Sequence, residues 1–98
     1  MAYRIFWTPI AVQDLRDICT FISRDSPVAA QRMGEELIKQ AEAIALFPQS
    51  GRMVPEKKDP LIRVTIFGSY RIIYRVDEVD KVVALARIWH GARGTPEL

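Results

Sequence analysis

Two hydroxyl-proline pairs near the N-terminus, Thr8-Pro9 and Ser26-Pro27, constrain this chain more than any other feature. Each is a helix-start signal: Thr or Ser at the N-cap, then proline at the first helical position, where its missing N–H costs nothing. Behind the first pair Ala11, Leu15, Ile18 and Ile22 recur with 4-3-4 spacing, one apolar stripe of an amphipathic helix. Behind the second, Ala30, Met33, Leu37, Ala41 and Ile44 mark another. Two helices joined by so few residues must run antiparallel, as an αα-hairpin. The second is expected to end before Pro48, and the stretch from Pro48 to Pro60, with Gly51 and Pro55, reads as turn-rich.

Strand signals flank the hairpin. Tyr3–Trp7 is aromatic and β-branched. Leu61–Phe67 and Tyr70–Val76 alternate on either side of Gly68-Ser69, a hairpin signal; Asp77–Lys81 is a charged turn and Val82–Trp89 a last strand. The order β-α-α-β-β-β predicts an α+β fold, an N-terminal strand and an α-helical hairpin packed on one face of an antiparallel β-sheet. A single domain over 1–98 fits the length. Periodicity leaves open which edge of the sheet the first strand takes.

Register decides what the sheet shows to solvent. A two-residue loop at Gly68-Ser69 sets Ile66 opposite Arg71 and mixes arginine with aliphatics on both faces. A three-residue loop or a bulge shifts the pairing by one and flips the partner's faces. Ile62, Val64, Ile66, Tyr70, Ile72, Tyr74 and Val76 then share the buried face, and Arg63, Thr65, Phe67, Arg71, Ile73 and Arg75 the other. Burying unpaired guanidinium groups costs several kcal/mol each, so the bulged register is the expected one. Arg87 and Trp89 fall together on the last strand, with the arginines. His90 lies at the strand end, where alternation no longer sets direction.

Charge becomes informative only when it is distributed. Fourteen Lys+Arg against twelve Asp+Glu leave a net +2, too little to announce a nucleic-acid binder. The segment Pro9–Ala45 is net −2, whereas Leu46 onward is net +3. Leu61–Val76 carries Arg63, Arg71 and Arg75 without an acid, and Val82–Arg93 carries Arg87 and Arg93, again without one. The longest aliphatic run, Val82–Ala86, falls far short of the ~20 residues of a membrane span. Met1-Ala2-Tyr3-Arg4 opens no signal-peptide core. Cys19, alone, makes no internal disulfide, so the expected location is cytoplasmic.

An arginine-bearing sheet face suits a polyanion, which guanidinium grips bidentately, and equally an acidic protein segment. Solvated arginines on the wet face of an antiparallel sheet are the plain alternative. The only histidine, His90, could pair with Arg71 in phosphodiester cleavage, as a base near neutrality beside a fixed cation on the phosphate. Glu56, Lys57 and Lys58 are possible helpers, although a charge run in a loop is usually just solvated. One Cys and one His build no zinc site, so no metal or other cofactor is expected. No glycine-rich phosphate loop or nucleophile elbow appears.

The whole-chain pattern resembles the RelE/ParE superfamily of toxins from type II toxin–antitoxin modules, also called plasmid stabilisation proteins. The residues that carry the resemblance are the Tyr3–Trp7 strand running into Thr8-Pro9, the helix hairpin, and Phe47-Pro48-Gln49-Ser50-Gly51-Arg52-Met53-Val54-Pro55-Glu56. Tyr70-Arg71-Ile72-Ile73-Tyr74-Arg75-Val76 and the ending Ile88-Trp89-His90-Gly91-Ala92-Arg93 complete it. Membership implies a growth inhibitor that forms a hetero-oligomer with a cognate antitoxin, whose C-terminal part wraps it. RelE-like members cut mRNA in the ribosomal A site without metal, the RNA 2′-OH attacking the adjacent phosphate. ParE-like members inhibit DNA gyrase by binding. Arg71 matches the catalytic arginine of the RNases, and His90 lies where some of them keep a histidine. Arg52, Lys57, Lys58, Arg63, Arg75, Arg87, Trp89 and Arg93 are then candidates for binding target or antitoxin. The chain departs from the RNase pattern in two ways: Gly91 follows His90 where an aromatic or basic residue is usual, and the net charge is low for an rRNA binder. The expectation is therefore a gyrase-type toxin, with the ribosome-dependent RNase as its alternative.

Overall fold

A computed structural model describes residues 2–54 and 59–94. Strand β1 (Arg4–Trp7) leads into helices α1 (Pro9–Ser23) and α2 (Pro27–Leu46), then a 3-10 turn (Pro48–Ser50). Strands β2 (Arg52–Met53), β3 (Ile62–Phe67), β4 (Tyr70–Asp77) and β5 (Val82–His90) follow, closed by a second 3-10 turn (Gly91–Arg93). Both helix starts form as their chemistry requires. Thr8 Oγ1 accepts from the Ala11 N–H at 3.2 Å, and Ser26 Oγ accepts from the Ala29 N–H at 3.1 Å. The Thr8 hydroxyl also donates to the Leu85 carbonyl at 2.7 Å, so the group that starts α1 ties it to β5.

The strands form one α+β sheet in the order β1-β5-β4-β3-β2. The first strand takes the β5 edge and runs parallel to it, with Ile5 opposite Val83 and Trp7 opposite Leu85; the other pairs are antiparallel. The two-residue β2, inside the stretch read as turn, adds the far edge by pairing Arg52 with Val64 and Met53 with Arg63.

The helices pack chiefly over β5 and β1. Between them and the sheet lies a core of Ala11, Leu37, Ala41, Ile44, Ile72, Tyr74, Val76, Val83, Leu85 and Ile88, with Leu15, Ile18 and Met33 of the two predicted stripes against it. At one end of this core the buried Tyr74 hydroxyl donates to the Pro48 carbonyl at 2.7 Å and accepts from the Gly51 N–H at 3.1 Å. A Cβ on Gly51 would fall inside that hydroxyl and against the Val64 carbonyl, so glycine is demanded there by space. Burial pushes the Tyr74 hydroxyl above its ordinary pKa, keeping it protonated as a donor.

The β3–β4 register differs from the expected one. The loop is the two residues Gly68 and Ser69, with Gly68 at φ 58°, and it sets Phe67 opposite Tyr70 and Ile66 opposite Arg71. Arg63, Thr65 and Phe67 therefore share the helix side with Tyr70, Ile72 and Tyr74, whereas Ile62, Val64 and Ile66 share the open side with Arg71, Ile73 and Arg75. The expected face that gathers Arg63 with Arg71 and Arg75 does not form. The penalty for a buried guanidinium carried that expectation, and it does not apply: β3 lies outside the helices' main cover, and Arg63 there donates to the Gly51 carbonyl at 2.8 Å. A bulge does occur, but between β4 and β5. Ile73 pairs with Arg87 and Tyr74 with Leu85, which leaves Ala86 without a partner.

Candidate functional site

The open face of the sheet carries part of what sequence reasoning singled out: Arg71, Arg75, Arg87 and Trp89. It mixes exposed apolar residues, Phe6 at 53% and Ile66 at 54%, with arginines, which is what the two-residue loop imposes. Arg71 stands half-buried on this face, directly across from Trp89. His90 pairs instead with Tyr70, so its side chain leaves the sheet on the opposite face, and it packs edge-on against the Tyr70 ring at 5.3 Å.

The two nevertheless meet at the end of the sheet. Arg71, His90, Tyr70, Ser69, Gly91 and Ile66 line an open cleft of about 380 Å³ beside the β3–β4 loop. The Gly91 N–H donates to the Ser69 carbonyl at 2.8 Å and closes the cleft floor. A Cβ on Gly91 would stand 3.7 Å from Arg71 Nε, which puts the guanidinium stem close over that backbone. His90 Nδ1 accepts from the Ala92 N–H at 3.1 Å and caps the last 3-10 turn. With Nδ1 committed as an acceptor, the neutral ring carries its proton on Nε2 and is a donor at that nitrogen, not a base. This is the tautomer opposite to the one that proton abstraction through Nε2 requires.

A second cluster sits beside the cleft. The guanidinium groups of Arg87 and Arg93 both stack on the Trp89 ring, at 4.7 and 4.1 Å from its centroid, and Trp89 Nε1 donates to the Gly94 carbonyl at 2.8 Å. Arg87 is further held by Asp14 of α1 in a bidentate pair, Nε to Oδ2 at 2.8 Å and Nη2 to Oδ1 at 2.9 Å. The Asp14 hydrogen bonds hold the Arg87 guanidinium above its ordinary pKa, against the desolvation that opposes it.

The remaining candidates scatter. Arg75 is exposed and pairs with Asp59 at 2.7 Å, so it and Arg87 both have carboxylate partners that local sequence gave no sign of. Arg63 is turned to the helix side and serves the Gly51 carbonyl. Arg52 is exposed on β2, and Lys57 and Lys58, with Glu56, lie outside the described residues. Sequence reasoning missed Asp14, Ser69 and Tyr70 as parts of this region. Asp14 meets Arg87 across 73 positions, a pairing with no local signature, whereas Tyr70 was detectable in principle as the hairpin partner of the strand's last residue.

Residues 5–94 match the family described as the ParE toxin of the type II toxin–antitoxin system parDE. The chain is 37% identical over 90 residues to Toxin RelE2 of Caulobacter vibrioides, covering 92% of this chain and 97% of that one. Among solved structures it is similar to the toxin–antitoxin complex RelBE2 of Mycobacterium tuberculosis, with TM-score 0.71 and 21% identity over 92% of this chain and 99% of that chain. It is similar also to the chromosomal ParDE system of P. aeruginosa, with TM-score 0.73 and 20% identity over 91% and 96% of the two chains. A free mutant form of E. coli toxin RelE matches with TM-score 0.66 and 19% identity, over 96% and 88%. At such identities the three structures establish the fold.

Proposed function

The chain belongs to the ParE toxin family of type II toxin–antitoxin systems, and on that premise we propose that it arrests growth by binding DNA gyrase and is neutralised by a cognate antitoxin. The observation that carries this reading is the commitment of His90. Its Nδ1 caps the Gly91–Arg93 turn, and its side chain leaves the sheet on the face opposite Arg71. A cleaving site needs a base and a cation converging on one phosphate; Arg71 and His90 line one cleft, but they enter it from opposite faces and the Nδ1 of His90 is already taken by the Ala92 N–H. What remains on the open face is a binding surface: Arg71, Trp89 and Arg93 beside exposed Ile66, a mixture of cation, aromatic and apolar groups suited to a protein partner. The toxin acts in the cytoplasm as a single domain, without metal or cofactor, and forms a hetero-oligomer with its antitoxin. Among the described residues no helix is long and apolar enough to cross a membrane.

The test is a supercoiling assay with purified gyrase. The expected result is lost supercoiling or accumulated DNA cleavage complexes, unchanged by His90→Ala and weakened by Arg93→Ala. The ribosome-dependent mRNA endoribonuclease is the second reading, favoured by the cleft that Arg71 and His90 both line. Codon-position cuts in mRNA on translating ribosomes, abolished by Arg71→Ala, would establish it and overturn the gyrase reading.

A further inference from the structure

Of the two acids on α1, Asp17 is exposed and bonded to Gln13, whereas Asp14 is nearly enclosed, its side chain 12% exposed. Three hydrogen bonds fix its carboxylate: two from Arg87, and one from the Ile88 N–H to Oδ2 at 3.0 Å. A bidentate pair of this kind sets the plane of the guanidinium as well as its position. That plane lies over Trp89, whose ring also receives Arg93 and whose Nε1 holds the Gly94 carbonyl. A continuous set of contacts thus runs from α1, round the end of β5, to the backbone at Gly94. Electrostatics gives it direction. Two guanidinium groups on one indole repel each other, and Asp14 neutralises the inner one, so the outer one, Arg93, can close on the ring.

We propose that Asp14 is a positioning residue for the target-binding face: acting through Arg87 and Trp89, it holds Arg93 and the Gly94 backbone beside Arg71 while touching no target itself. The assignment rests on the reading above that Arg71, Trp89 and Arg93 belong to the surface that meets gyrase. It implies that the affinity of the open face is set partly by a helix residue that lies off it.

The experiment follows the Trp89 indole N–H by NMR in the full-length toxin and, in parallel, measures affinity for purified gyrase. Asp14→Asn keeps the shape of the side chain and an acceptor for the Ile88 N–H while removing the charge. The expected result is about tenfold faster exchange of the Trp89 indole N–H and a shift of its resonance towards the solvent position, with the Trp7 indole unmoved. Gyrase affinity should fall by as much as in Arg93→Ala, and the double variant should be no weaker than Arg93→Ala alone, because both substitutions remove the same positioned cation. An unchanged Trp89 resonance in Asp14→Asn, or losses that add in the double variant, would overturn the proposal. If Asp14→Asn does not fold, Arg87→Lys keeps the charge opposite Asp14 but lacks the planar fork, and the same readouts decide. If the unmodified toxin binds no gyrase, the gyrase reading fails by itself. The indole measurement then still separates a positioning Asp14, with a moved resonance, from a merely structural one.

Discussion

The two faces of the β-sheet obey different rules. On the helix side, alternation and the 3.6-residue period account for nearly every contact: Ile72, Tyr74 and Val76 of β4 meet Leu37, Ala41 and Ile44 of α2 in one apolar core. On the open side β4 presents Arg71 and Arg75, and the setting of Arg75, like that of Arg87 on β5, depends on a carboxylate outside its own strand. Asp59 engages Arg75, and Asp14 engages Arg87 at the end of β5. The lesson is that apolar burial can be read locally because any hydrophobic neighbour will serve, whereas an arginine's role waits on one particular carboxylate.

This contrast can be broken by measurement, beginning where the largest effect is expected. Leu37→Ala empties a fully buried site and should cost about 3 kcal/mol, lowering the melting temperature by roughly 15 °C. Denaturant unfolding checks it, and a loss under about 1 kcal/mol would mean that the helix side is not the stabilising one. Gly51→Ala should cost about 2 kcal/mol, because the new methyl overlaps the Tyr74 hydroxyl. Adding Tyr74→Phe to it should recover part of that loss, a sign reversal that a double-mutant cycle detects.

Tyr74→Phe by itself strands the Pro48 carbonyl and the Gly51 N–H, for an expected loss of about 1–2 kcal/mol. The same residue sets a pH dependence. Its native pKa is raised above the ordinary 10.0, so the unfolded state ionises first. Its stabilisation is complete below pH 10.0 and is lost as the pH climbs through the raised native value, a decline that Tyr74→Phe should remove. The smallest effect on stability is expected on the open side. Arg71→Ala should move the unfolding free energy by no more than about 0.5 kcal/mol while weakening gyrase inhibition several-fold. A stability loss comparable to that of Leu37→Ala would erase the distinction between the faces.

The same distinction explains what was legible beforehand. Thr8-Pro9 and Ser26-Pro27 placed both helices because capping is local, and the apolar stripes named most of the core. The β3–β4 register was misread because the whole sheet was taken to be covered. With helices over β5 and β1, Arg63 on β3 could face the helix side at little cost. The β1 edge and the two-residue β2 escaped for another reason: parallel pairing with β5 and a short edge pair leave no periodic trace. In the candidate site, Arg71 and His90 could be named from residue type. That they lie on opposite faces, with the imidazole committed to Ala92, follows from pairing with Trp89 and Tyr70, which alternation near a strand end does not supply.

The unpartnered Ala86 has a consequence of its own. It divides β5 into two half-strands that run out of phase. In the first half the odd-numbered residues Val83 and Leu85 point to the core; in the second the even-numbered Ile88 does. Drawing Ala86 into a regular ladder would rotate the rest of the strand by half a turn, driving Arg87 and Trp89 under the helices and lifting Ile88 into water, whereas deleting it would leave both faces as they are. The strand therefore carries two independent scales, one indexed to the packing of the fold and the other to the surface it offers. Selection can change the residues of the second half without resetting the first, provided that this single position stays outside the ladder.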